Sequence, residues 1–141
     1  MIVLLQKYII IFLVILDLIF RILFYFSNLN VILTNDSESY IYLAKLISSG
    51  SIAGYFGGRS PGYSLLISFF GNSNQLVVCF QMIVGIISSV FWFKILKHFK
   101  FNSIFSLSIS LFFSSFIHIL SYENAILIET INLFITTLLI Y

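Results

Sequence analysis

The sequence predicts an all-α, polytopic membrane protein of about four transmembrane helices, with two short surface helices in its first outer loop. Three observations carry that expectation. Of the 141 residues, 60% are apolar and 9% are charged, and mean hydropathy is +1.11; a soluble domain of this size needs more charge to cover its surface. Four apolar runs, at 8–26, 76–93, 104–120 and 125–141, approach the ~20 residues that a helix needs to cross a ~30 Å hydrocarbon core. The runs are continuous rather than alternating, which argues against the strands of a transmembrane barrel.

The first run carries Asp17 and Arg21, four residues apart and therefore on one helix face. They read as an intrahelical ion pair turned toward neighbouring helices, or as groups that handle substrate directly. The run is too long for a secretory signal core and no small-x-small cleavage site follows it, so it reads as an uncleaved anchor. Lys7 precedes it, and Lys94, Lys97 and Lys100 follow the second run. The positive-inside rule then places the N-terminus and the 94–100 turn in the cytoplasm, with the loop 27–74 and the turn 121–124 on the outer face. Glu123 in that turn is expected to be solvated. The fourth run reaches Tyr141 while still apolar and without a basic flank, as expected for the N-terminal part, residues 1–141, of a longer membrane domain.

The outer loop is the polar part of the chain. It begins with an extended Val31-Ile32-Leu33-Thr34, after which Tyr40, Leu43, Ala44 and Ile47 recur at i, i+3, i+4 and i+7. That spacing predicts an amphipathic helix lying on the outer membrane surface, with Asp36 as N-cap, Glu38 favourable to the helix dipole and Gly50 at the C-terminal cap. Gly54, Gly57 and Gly58 lead to Arg59-Ser60-Pro61-Gly62-Tyr63, where Ser60 as N-cap and Pro61 at the first helical position begin a second short helix. Gly71-Asn72-Ser73-Asn74 ends it before the second span.

Several chemistries are excluded. Cys79 stands alone, so neither a disulfide nor a thiolate metal site can form within the chain. No nucleotide-binding loop, zinc spacing or serine-triad signature is present, and a net charge of +2 is too small to attract nucleic acid. His118 reads as an interfacial side chain. Asp36 is either a helix cap or a carboxylate available as a general base. Arg59 is either a headgroup anchor or a planar fork for an anionic ligand. Glu129, in an apolar run, is either a carboxyl packed between helices or a functional group.

The order of these features resembles the N-terminal portion of the GT-C glycosyltransferases of the protein mannosyltransferase and lipid A aminoarabinose transferase type. The resemblance rests on Asp36, Tyr40 and Ala44 in the loop helix, on Arg59-Ser60-Pro61-Gly62-Tyr63, and on Glu129 in the fourth run. It covers nearly the whole chain, with Ser37 where the family often has a glutamate after the aspartate. It implies transfer of a sugar from a polyprenyl-phosphate donor, embedded in the lipid bilayer, to an acceptor at the outer face of a bacterial inner (plasma) membrane. Asp36 would be the catalytic base and Arg59 the group that meets the leaving phosphate, with Lys45 a second cation and Tyr40 a further substrate contact. Glu129 would support the site or help to hold a divalent cation. The competing expectations are a non-enzymatic transporter or polysaccharide-handling protein, and a short subunit that acts by packing with partner helices.

Overall fold

The computed structural model describes residues 2–28, 31–55 and 57–141, with side chains from Gln6 onward. Of the predicted outer loop, residues 29, 30 and 56 therefore lie outside the described part. The elements in chain order are α1 (Ile2–Asn28), α2 (Asn35–Ser48), α3 (Pro61–Phe69), α4 (Asn74–His98), α5 (Ser103–Ser114), α6 (Ile117–Asn124) and α7 (Glu129–Ile140). The extended pairing among the described residues is a single parallel bridge between Ile32 and Ala125.

Two helices, α1 over Gln6–Asn28 and α4 over Asn74–His98, are long and apolar enough to cross a membrane. Only 17% of the α1 span is buried, against 44% of α4. The central post is thus α4, and α1 turns most of its apolar surface outward, as a lipid-facing helix does.

The other two predicted spans differ from expectation. The third is bent by 50° between α5 and α6, so it counts as a third span only if that bent pair is taken as one. The fourth does not start at Ala125: α7 begins at Glu129 and has 12 residues, a rise of ~18 Å that falls short of a bilayer core.

Hydrogen bonds from outside the helical ladder account for both interruptions. Ser115 donates to the Leu111 carbonyl at 2.7 Å; such back-bonding competes with the helical ladder and bends helices. Between α6 and α7, Ile32 donates to Asn124 at 2.9 Å and accepts from Ile126 at 3.4 Å. The two N–H groups of the Gln81 amide are shared among the carbonyls of Tyr122, Glu123 and Ala125, at 3.1, 3.1 and 2.8 Å. Backbone groups that an unbroken helix would pair are paired here from outside, which is the condition for irregular backbone at membrane depth.

The two helices between α1 and α4 form where the residue pattern places them, with one change of cap. Thr34, not Asp36, is the N-cap of α2, and its side chain exchanges hydrogen bonds with Ser37 in a capping box. Asp36 consequently sits in the first turn, beside Glu38, with its carboxylate free of the capping role. At the other end Gly50 has φ +75°. Its N–H meets the Ile47 carbonyl at 3.0 Å, and that of Ser51 the Leu46 carbonyl at 3.3 Å, a Schellman closure. Helix α3 begins at Pro61 with Ser60 in extended conformation, although the Ser60 side chain makes no cap bond.

The apolar face expected to rest on the membrane packs instead on protein. Tyr40 and Ala44 of α2 join Tyr63 and Ile67 of α3, Val77 and Val78 of α4, and Ile126 in one buried cluster. A Ser48–Ser68 hydrogen bond of 2.9 Å and an Asn72–Ser48 bond of 3.1 Å tie the α2–α3 pair further.

Candidate functional site

Two charged residues that lie 23 positions apart between α1 and α4 meet in space. The Arg59 guanidinium forms an ion pair with the Asp36 carboxylate, and its Cζ stands 5.3 Å from the centre of the Tyr40 ring. The pair stays open to solvent, with 32% of the Arg59 side chain and 52% of the Asp36 side chain exposed. Local structure sets both partners. Asp36 is held by the capped first turn of α2. Arg59 is held at its backbone by Tyr55, whose hydroxyl donates to the Arg59 carbonyl and accepts from the Arg59 N–H. Gly57, at φ +81°, makes the turn between them, a conformation that costs glycine little.

Beneath this pair the aromatic rings lead inward. Tyr40 packs edge-on against Tyr63, with centroids 5.0 Å apart. The Tyr63 hydroxyl donates to the side-chain oxygen of the buried Gln81. Burial, reinforced by the nearby charges of Glu129 and of ionised Tyr40, pushes the Tyr63 hydroxyl above the ordinary tyrosine range. Gln81 therefore joins α3 to the α6–α7 break with both ends of its amide.

Glu129 is not a turn inside a membrane helix, as its run of neighbours suggests. It is the first residue of α7, exposed, and on the rim of a cavity of about 350 Å³ between α6 and α7. Its charge adds to the upward push on the Tyr63 hydroxyl. Lys45 lies elsewhere. It stands in the last turn of α2, nine residues from Asp36, hence ~14 Å along the axis and on the opposite helix face. His118 is exposed in the first turn of α6, with its ring 5.4 Å from that of Phe116.

A second charge cluster lies in the helix interior. Arg21 Nη2 donates to Glu123 Oε1 at 2.8 Å, and Arg21 Nε lies 2.8 Å from Oε2. Asp17 approaches Arg21 only to 3.8 Å and accepts instead from the hydroxyls of Ser89 and Ser114. Asp17 and Glu123 are fully buried and Arg21 is 1% exposed. Gly85 provides the room, because a Cβ there would stand 2.6 Å from Arg21 Nη2 and closer still to Glu123. The expectation that Glu123 is solvated in a turn is thus overturned: the turn is helical, and its carboxylate is the principal partner of Arg21.

Sequence reasoning passed over Tyr55 and Gln81 and misplaced Glu123 in solvent. A lone amide in an apolar span is a signal that could have flagged Gln81; nothing local marks the other two. Among the described residues no three His, Cys, Asp or Glu side chains converge, and Asp36 is engaged by Arg59. This donor set does not fit a divalent cation. Comparison with family models, curated proteins and solved structures finds no match to this chain.

Proposed function

We propose that this chain carries the donor-side elements of a membrane glycosyltransferase of the GT-C type, which moves a sugar from a polyprenyl-phosphate carrier to an acceptor at the outer face of a bacterial plasma membrane. In this reading the N-terminus and the lysine-rich turn at 94–100 are cytoplasmic. The observation that carries it is the solvent-open Asp36–Arg59 pair, brought together by the first turn of α2 and the turn that precedes α3. A base and a cation held side by side are what the transfer requires. The acceptor hydroxyl oxygen forms the new bond to the anomeric carbon as its proton passes to the Asp36 carboxylate. The bond from that carbon to the phosphate oxygen breaks, and its electron pair leaves with the lipid phosphate. Arg59 meets the charge that grows there, and the Tyr40 ring behind the guanidinium keeps it in place.

An apolar groove supports the placement of the lipid. Three residues beyond Arg59, Gly62 begins a groove of about 330 Å³ lined further by Leu65, Leu66, Phe69, Phe70 and Phe80. Such a surface suits a polyprenyl tail whose phosphate ends at Arg59. The decisive experiment is Asp36→Asn in the full-length protein, assayed in membranes with polyprenyl-phosphate sugars. Transfer is expected to fall by at least ~100-fold, the scale of a general base, with membrane insertion unchanged. Retained transfer would falsify the assignment.

A transporter reading draws on a specific observation too, namely polar groups on several helices beside helix breaks. Against it, Asp17, Arg21 and Glu123 are all but fully buried, Arg21 is ion-paired with Glu123, and Asp17 is engaged by two serines. A cluster so buried offers no accessible group to a passing solute.

A further inference from the structure

The cavity between α6 and α7 contains polar groups that the transfer chemistry does not use. It is lined by Tyr122 and Ile119 of α6 and by Glu129, Thr130, Asn132, Leu133 and Thr136 of α7. Positions 129, 132, 133 and 136 share one face of α7, so a helix that is otherwise apolar presents a carboxylate, a carboxamide and a hydroxyl to one space. Thr136 donates to the Asn132 carbonyl at 2.8 Å. The Thr130 side chain is 4% exposed, and its hydroxyl has no partner. Neither Glu129 nor Asn132 makes a side-chain hydrogen bond among the described residues. A buried hydroxyl left unpaired costs free energy unless a ligand or water meets it.

The chemistry of the lining selects the ligand. Glu129 is its one charged group, so a phosphate or carboxylate is repelled. A carboxylate, an amide and a hydroxyl together both accept and donate, which matches the alternating hydroxyls of a sugar ring. Ile119 and Leu133 offer apolar surface to the C–H face of such a ring, and the 350 Å³ lies in the range of small-molecule sites. We propose that this cavity binds an uncharged sugar ring, and, resting on the transfer reading above, that the ring belongs to the acceptor.

Alkylation protection tests this without requiring transfer. In a Cys79→Ser background, Thr136→Cys places a thiol at the exposed wall of the cavity, and its maleimide labelling is followed in phosphatidylcholine nanodiscs. The probes are octyl β-glucoside, octyl phosphate and octylammonium, which share a tail and differ in head group. Octyl glucoside is expected to slow labelling and the other two to leave it unchanged. Glu129→Gln should raise the half-protective glucoside concentration by about fivefold, the difference between a charged and a neutral hydrogen bond; Thr130→Val, which keeps shape and removes the hydroxyl, should raise it by a similar factor. Protection by octylammonium alone, protection by octyl phosphate, equal protection by all three, or no protection by any overturns the proposal. Each of those results leaves the Asp36 assignment standing on its own transfer assay, so the two can fail separately.

Discussion

The chain contains two arginine–carboxylate pairs, and their surroundings give them opposite roles. Arg21–Glu123 is almost fully buried, joins α1 to α6, and is flanked by Asp17 with its two serine donors. Arg59–Asp36 joins a turn to the first turn of α2 and is roughly one-third to one-half exposed. In a low-dielectric interior an unpaired charge is costly, so the buried pair holds helices in register and cannot be spared for a ligand. At the surface the same pairing contributes ~0–1 kcal/mol, and a ligand phosphate can take Arg59 from Asp36 at little cost. Burial, rather than residue type, separates the fastening from the candidate site.

Removal of one partner is the most severe way to break that contrast. Arg21→Ala leaves Glu123 buried without its cation and is expected to destabilise the folded chain by ~3–5 kcal/mol, read as loss of a thermal transition in detergent or nanodiscs. Gly85→Ala should act on the same pair, because its Cβ must displace Arg21 or Glu123. The double substitution Arg21→Leu with Glu123→Leu is expected to recover most of the loss, since a neutral pair needs no partner. Stability of Arg21→Ala equal to that of the parent would show the interior pair to be as dispensable as the exposed one.

Gln81→Leu comes next in size. It strips the Tyr63 hydroxyl of its acceptor and the α6–α7 break of its donor, at an expected ~2–3 kcal/mol. Limited proteolysis should then open the chain at the break before the rest unfolds.

Asp36→Asn, by contrast, should change stability by less than ~1 kcal/mol while abolishing transfer. A mutant that loses both would place Asp36 with the fastening rather than with the site.

The smallest effect is a titration. The folded-state pKa of Tyr63 is raised above the ordinary 10.0, so the folded chain holds this proton where the unfolded chain releases it. Its stabilising contribution is fully present below pH ~10 and is lost as pH rises beyond that. Tyr63→Phe should cost ~1 kcal/mol at neutral pH and flatten the alkaline fall seen by thermal melts at pH 9–11. An unchanged alkaline profile would remove Tyr63 as its source.

What the sequence determined by itself is local. Hydropathy over 8–26 and 76–93 specifies α1 and α4, since a long apolar run in lipid can satisfy its backbone only as a helix. The face of Tyr40, Leu43 and Ala44, the start at Pro61 and the stop at Gly50 follow from helical spacing and from φ preferences, which neighbouring residues set. Even the pieces of the candidate site were legible, because Asp36 and Arg59 are charges in a loop between apolar runs. Tertiary structure decided the rest. That Arg21 turns to Glu123, 102 residues away, rather than to Asp17 depends on Gly85 leaving room on a third helix. That the fourth run breaks before Glu129 depends on Gln81 and Ile32 supplying the hydrogen bonds the helix gives up. Residues 125–128 are as apolar as any span, and a hydropathy window cannot see a partner that arrives from another helix. Whether a polar group on an apolar chain is solvated, paired or free to bind is a property of its neighbours in space.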